Sequence, residues 1–470
     1  MKSIGVVILL LLGSCFAFCQ VKTVYLTSFG AKPNDNISDQ KAFNAASEYI
    51  NKRKGNVKLV IPAGKYLVGP DYDYKLPVKK LPAGKLWDVI HLENCENVSF
   101  EGTGKVTIQF RDNIPFGCTL AYSDKPDSSV HIGSLFRLVS CKNITINNIK
   151  ADGNNRKLRL LEYSGVGNSP YQREHEGLFI LNCQNVTVKN TGFNYFGRDG
   201  FMVLQDNDKM PVKSLEFYNC TFNYNGRDGV SWCGGEDILF KNCEFNYNSR
   251  GRIQTNPGVG LDIEPERGAN SSNGHFINCS FKDNGGYGIG SMDTAAVNIL
   301  FDSCRIVGNT NYSLVINSKK VTINRSGIIG TALFLYDAGK EEDGFKIDSC
   351  TFTDTILGKK VFRDGYMLAI RGRYMRFNDC NFTSFAIPSL YTEIKKHKSL
   401  NDMENTIFKN CLFDARFKRA STWNNWGFII SHSLFDNCEF RSAGYVDFKT
   451  IFNQREKNVY LKNSRFTNKQ

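Results

Sequence analysis

The residues best suited to chemistry are acids that recur at one place in the chain. Arg-Asp-Gly occurs at 198–200 and again at 227–229, within the related stretches FNYFGRDGFMVL (193–204) and FNYNGRDGVSWC (222–233). Glu176 precedes Gly177 in the same way. An apolar residue and strand-like alternation follow each glycine, as they do after Gly260 in GLDIE (260–264). Alternation puts Asp262 and Glu264 on one side of their segment, about 6.5–7 Å apart at the usual strand rise. Stacked in register at about 4.8 Å, Glu176, Asp199 and Asp228 form a carboxylate ladder. Like charges that close need a cation, neighbouring arginines or a shared proton. Arg198 and Arg227 can supply the charge, and so can Ca2+, which binds through several oxygens.

Two chemistries follow. Asp199, Asp228, Asp262 and Glu264 can serve as general acids and bases. Glu176, Asp199 and Asp228 can instead hold Ca2+, with Arg198 and Arg227 as base or as partners of a substrate carboxylate. His175, between Glu174 and Glu176, is a further acid–base candidate, although a lone histidine can equally be structural. Asp-Gly and Arg-Asp are also what a recurring turn would place there. Asp262 and Glu264, on a flat strand face, have no turn role.

The elements that position these residues come from a repeat. Eleven of the 15 cysteines share one context, from LENCENVSF (92–100) through FKNCEF (240–245) to FDNCEF (435–440), spaced by roughly 23 to 46 residues. Such self-similarity indicates stacked units, and the alternation around each Cys has the period of a strand. Asn or Asp before the Cys supplies turn chemistry. The pattern predicts an all-β fold, a single-stranded right-handed parallel β-helix. The series cysteines are expected at one place in each coil, reduced and buried, because Cys behaves as a small hydrophobe and no Cys-x-x-Cys pair suggests a metal site. Residues 40–52 read as an amphipathic helix with Phe43, Ala46 and Ile50 on one face, capping the open end of the stack. The strand KLVIPAGKYLVG (58–69) follows it. Trp232 is expected to point inward.

SFGAKPNDNISDQKAFNAASEYI followed by KLVIPAGKYLVG resembles the N-terminal segment of the pectate lyase/polygalacturonase superfamily of β-helix proteins. That resemblance covers about residues 25 to 465 and implies a carbohydrate-active protein. It does not choose a reaction, because the superfamily includes lyases, hydrolases, epimerases and phage tailspikes. Its lyases often set Lys or Arg beside an acidic cation site, and the Arg-Asp pairs look like that arrangement. Asp199 and Asp228 also sit in places similar to the polygalacturonase acids. GGYGIGS (285–291) resembles that enzyme's Gly-His-Gly segment, but Tyr287 stands where the histidine would be and no Asp-Asp pair occurs.

Compartment and charge narrow the substrate. Lys2 and the apolar run Ile4 to Leu12 read as an export signal, residues 1–19, ahead of a β-helix domain over 20–470 whose cap and first coil take 20–70. Leu12-Gly13-Ser14-Cys15 also resembles a bacterial lipobox, which would leave a lipid anchor on Cys15. No later apolar run reaches the ~18 residues of a membrane span. With 59 Lys+Arg against 46 Asp+Glu the formal charge is +13, which suits an anionic partner. Nucleic acid is not the expected one, since the protein is exported and its basic residues are scattered. The preferred reading is a secreted, periplasmic or cell-surface enzyme, monomeric, that cleaves an acidic polysaccharide by β-elimination. An inverting glycoside hydrolase is second, and a glycan-binding β-helix or uronan epimerase third. Trp423 and Trp426 could stack sugars in the binding reading.

Overall fold

The computed structural model describes residues 21–118, 129–161, 171–308, 312–356, 359–360, 367–385, 390–392, 406–416, 432–442 and 459–468. The export segment, Cys15 and the Trp423–Trp426 stretch lie outside the described residues.

Gln40–Lys52 is the expected helix, with Phe43, Ala46 and Ile50 sealed against the coils. It caps the stack through side-chain amides as well as apolar contact. Gln40 Nε2 donates to the Asp88 carbonyl (3.1 Å) and Asn51 Nδ2 to that of His91 (2.8 Å), so the first strand of one sheet has part of its open edge satisfied. No described helix is long and apolar enough to cross a membrane.

Most coils have three strand segments, and in the coils that begin at Phe201 and Val230 the third is an isolated bridge. Leu178–Leu181, Gln184–Lys189 and Gly192–Asn194 make one coil, and each pairs in parallel with its equivalent in the neighbouring coils. Repetition of that pairing gives parallel sheets of 17, 11 and 8 strands among the described residues. Inward side chains stack at the strand spacing. Phe217, Phe240, Phe276 and Phe301 form one column with centroids 4.5, 5.2 and 5.0 Å apart. Phe382, Phe413 and Phe440 form another at 4.7 and 5.0 Å. Truncating one such ring to alanine costs about 3–5 kcal/mol in a packed core. Trp232 lies inside as expected, 1% exposed.

The thirteen described cysteines are free and buried. The expectation of a single cysteine position is corrected, because the series is split between two corners. Cys95, Cys141 and Cys183 follow the first strand of their coils. Cys220, Cys243, Cys279, Cys304 and the later members follow the second strand. Both corners turn in the same way, by one left-handed residue, such as Asn182 (φ 53°) at the first and Asn219 (φ 54°) at the second. Asn tolerates that conformation better than most residues. A small inward side chain then completes the corner, so the two sites look alike in sequence. At the second corner the asparagines also form a ladder, with Asn278 Nδ2 donating to Asn242 Oδ1 (2.8 Å) and Asn242 Nδ2 to Asn219 Oδ1 (3.1 Å).

Candidate functional site

Backbone hydrogen bonds set the register of the acids. Gly177 N–H donates to the Asp199 carbonyl and Gly200 N–H to that of Asp228, each at 3.1 Å, so Glu176, Asp199 and Asp228 do stack in consecutive coils. The row continues upstream. Val89 N–H donates to the Ser134 carbonyl and Leu135 N–H to that of Glu176, each at 3.0 Å, which places Asp88 and Ser134 in the same row. Glycine follows the acids because the coils approach closely there. A Cβ on Gly200 would sit 2.7 Å from Asn225 Nδ2 and 2.8 Å from the Gly229 carbonyl oxygen.

Direct contact with a substrate or a cation would need the row to face outward. It is buried instead, with Glu176, Asp199 and Asp228 each 0% exposed. The residues lie at a corner where arginines fold over them. Arg227 binds Asp199 in a fork, Nε to Oδ1 at 2.9 Å and Nη2 to Oδ2 at 3.0 Å. Its Nε is also 3.0 Å from Asp228 Oδ2. Arg198 Nη1 donates to Glu176 Oε1 (3.2 Å), and its Nε lies 3.7 Å from Asp199 Oδ2. Ser231 adds a hydroxyl 3.1 Å from Asp199 Oδ2 and 3.2 Å from Asp228 Oδ2. Farther up, Arg137 Nε donates to Asp88 Oδ2 (2.9 Å), and Ser134 Oγ donates to Glu176 Oε2 (3.1 Å).

These contacts do not fit the expected Ca2+ site. Asp199 and Asp228 already accept from guanidinium, hydroxyl and backbone N–H donors, including Val259 N–H on Asp228 Oδ1 at 2.8 Å. A cation cage needs those oxygens free and no guanidinium between them. Among the described residues no group of three or more His, Cys, Asp or Glu side chains is placed to hold a metal ion.

His175 is corrected too. It is 0% exposed, with its ring edge-on to Phe110, Phe116 and Phe196. Its Nδ1 accepts from Gly197 N–H at 3.0 Å. Burial pushes its pKa down to about 3, so it stays neutral. It is a core histidine.

Asp262 lies on the strand Leu261–Ile263, and Glu264 follows its end, where its N–H donates to the Trp232 carbonyl (3.1 Å). Asp262 pairs in register with Ser231 and Gly290. It is 8% exposed, and Glu264 is exposed. A Cβ added to Gly290 would lie 3.7 Å from Asp262 Oδ1 and 3.5 Å from Tyr287 Cδ2, so the missing side chain leaves room beside the acid. Burial, with Asp228 and Glu264 nearby, holds Asp262 well above the usual carboxylate range. Burial also raises Asp228 to about 7, with Arg227 opposing and Asp199 adding to the rise. Glu176 is raised to about 7 by burial against the pull of Arg198. The cluster therefore joins a proton-holding acid to a water-facing carboxylate. Exposed Arg252 instead donates to the backbone carbonyls of Arg156 and Leu158.

The sequence reading missed Asp88, Ser134, Arg137 and Ser231. In the coils of Asp88 and Ser134 the glycine after the row residue is replaced by Val89 and Leu135, so the Asp-Gly signal does not reach them. It also missed the ion pair of Glu174 with His131. Burial works against the charge on Glu174, but the His131 contact outweighs it and holds that carboxyl at about 2.

A parallel coil stack with ordered inward ladders defines the protein class. Residues 88–328, just over half of the chain, match the family described as the right handed beta helix region, and the chain belongs to that family. Among solved structures, it is similar to the A-module of mannuronan C-5 epimerase AlgE4 from Azotobacter vinelandii. That likeness covers 94% of this chain and 97% of the module, at 12% identity and a TM-score of 0.52. The N-terminal fragment of bacteriophage phi29 gene product 12 is similar over 95% of this chain and 71% of its own, at 14% identity and a TM-score of 0.52. At these identities the likeness is one of fold. No curated protein sequence matches the chain.

Proposed function

We propose that the protein is an exported enzyme that hydrolyses glycosidic bonds in an acidic polysaccharide. Asp262 donates the proton to the leaving oxygen. Glu264 takes a proton from the attacking water, which forms the new bond at the anomeric carbon as the old one breaks. The observation that carries this is the pairing of a nine-tenths-buried acid, raised well above its ordinary range, with an exposed carboxylate two residues along one strand face. At the usual strand rise their Cα atoms lie about 6.6 Å apart, which lets the two carboxyl groups take the separation of about 6.5–9.5 Å that inversion uses.

Hydrolysis is favoured over β-elimination by the state of the arginines. Elimination needs a cation or guanidinium against the uronate carboxylate. Arg198 and Arg227 are bound to the buried acids, and their side chains are only 16% and 8% exposed. The net charge of +13 favours an anionic chain. The Azotobacter module of the same fold is named for mannuronan, so polyuronates are the first substrates to try.

The test is incubation with a panel of polyuronates, following reducing ends and unsaturated-uronate absorbance together. Reducing ends should rise alone, and Asp262→Asn and Glu264→Gln should each lose about 10²-fold or more in rate. Asp348→Asn, beside series cysteine Cys350, should keep full activity. A parallel rise in absorbance would replace hydrolysis by elimination. No reaction on any polymer would leave a binding protein.

A further inference from the structure

A second polar site lies at a different corner of the coils. The acids precede the first strand of their coils, whereas a groove of about 480 Å3 opens at the turns after the second strand, around Asn148, Asn190 and Asn219. It forms where the 15-residue strand Glu96–Phe110 gives way to coils that break at this corner into two strands, Lys142–Asn147 and Lys150–Asp152. Two of its lining residues are lysines, Lys105 and Lys150, and none is acidic. Among the described residues neither lysine is ion-paired, and both are exposed.

Register brings the two charges together. Lys150 pairs with Thr107, so Lys105 lies two residues back along the adjacent strand, at the irregularity between Thr103 and Val106, and both lysines line the groove. One strand spacing and a two-residue rise put their Cα atoms roughly 8 Å apart, within reach of a single anion for two lysine side chains. The next residue in the row past Lys150 is Gly192, and Thr221 follows it. A Cβ on Gly192 would lie 2.6 Å from Asn194 Nδ2 and 2.7 Å from Thr221 Oγ1, so glycine keeps the floor open there. The amides around the groove are partly committed. Asn148 Nδ2 donates to the Gly102 and Gly104 carbonyls, and Asn194 Nδ2 to Thr221 Oγ1 at 2.8 Å. The two ammonium groups are the charged donors of the lining, and the ligand they select is an anion.

We propose that this groove is a second binding site for a carboxylate-bearing polysaccharide, which holds the chain while the acid pair acts elsewhere. The inference rests on the proposed substrate class. It can fail or stand apart from the proposed reaction, because binding is read in the Asp262→Asn background, where cleavage plays no part.

The experiment measures affinity for polygalacturonate, with neutral dextran as the control polymer, at low and raised salt. Lys105→Gln/Lys150→Gln should weaken polygalacturonate binding about fivefold or more and flatten its salt dependence, with dextran unaffected. Gly192→Ala, which fills the floor and keeps both charges, should weaken it as well. The pair Lys79→Gln/Lys80→Gln, exposed lysines on another segment, should change little. Equal losses in both lysine pairs would mean diffuse surface charge, and unchanged binding in Gly192→Ala would overturn the groove. Urea midpoints confirm that each variant folds. In the protein with Asp262 intact, absence of cleavage alongside lysine-dependent binding would sink the hydrolase reading and leave the groove standing.

Discussion

Arg227→Met tests the buried row directly. The substitution keeps most of the side-chain volume and removes a guanidinium that is 8% exposed in its side chain. Four contacts vanish with it: two to Asp199 at 2.9 and 3.0 Å, one to Asp228 at 3.0 Å and one to Ser231 at 2.8 Å. Asp199 and Asp228 are fully buried, and the nearest remaining guanidinium nitrogen, Arg198 Nε, is 3.7 Å from Asp199. Removing one partner of a buried pair costs about 3–5 kcal/mol, because the other is left as an uncompensated charge. The loss should depend on pH. With the cation gone, Asp228 loses the charge that opposes its rise and holds its proton more tightly in the folded chain, so the variant's stability falls further as pH rises. Urea denaturation followed by circular dichroism at pH 5 and pH 8 reads this, with the larger loss expected at pH 8. Asp199→Asn combined with Arg227→Met should recover part of the loss, giving a coupling on the order of 1–3 kcal/mol. A loss below about 1 kcal/mol at pH 8, or one that does not vary with pH, would refute the view of Arg227 as the compensating charge.

The unsubstituted protein should itself lose stability as pH rises. Glu176 and Asp228 are both raised to about 7, so their contribution is complete below the unfolded carboxylate range, falls between about pH 4.5 and 7, and is gone above it. The drop should be a few kcal/mol, and a flat urea midpoint across that window would count against the buried row. His175→Gln should leave the pH–rate profile unchanged, because the ring is neutral and sealed, while lowering stability by about 1–3 kcal/mol as Gly197 N–H loses its acceptor. Any shift of a rate-determining pKa in that variant would return His175 to the chemistry. Titration of the unfolded chain with a thiol reagent, without reductant, should find the series cysteines free, and five or more disulfides would contradict the packing.

What was legible in the sequence was periodic. The helix over 40–52, the inward Phe and Cys columns and the register of Glu176, Asp199 and Asp228 all follow from alternation and spacing. Depth was not legible. Alternation tells which way a strand residue points, but the row residues precede the strand, at a corner where Arg198 and Arg227 fold back over them. The same limit hid the two cysteine corners, since a left-handed residue followed by a small inward one turns either corner equally well. Asp88 and Ser134 were hidden for another reason. Their place in the row is set by backbone pairing across coils 42 and 46 residues apart, and no local motif marks it.

The composition of the row argues for its role beneath the acid pair. The row acids Asp88, Glu176, Asp199 and Asp228, with Asp262 on the adjoining strand, are met among the described residues by three guanidinium groups, those of Arg137, Arg198 and Arg227. The arginines favour some positions. Asp199 takes the fork from Arg227, and Asp88 takes Arg137. Asp262 lies on the adjoining strand, in register with Ser231, where the acids Asp228 and Glu264 raise it and the Arg227 charge only partly offsets them. Carboxyls outnumber cations in a buried setting, so Glu176, Asp228 and Asp262 are all raised toward the protonated form. Of these, Asp262 is the one beside Gly290, where no side chain fills the space. A general acid working near neutral pH needs a proton held there before substrate arrives. On the proposed reaction, the buried row would do this without contacting a sugar.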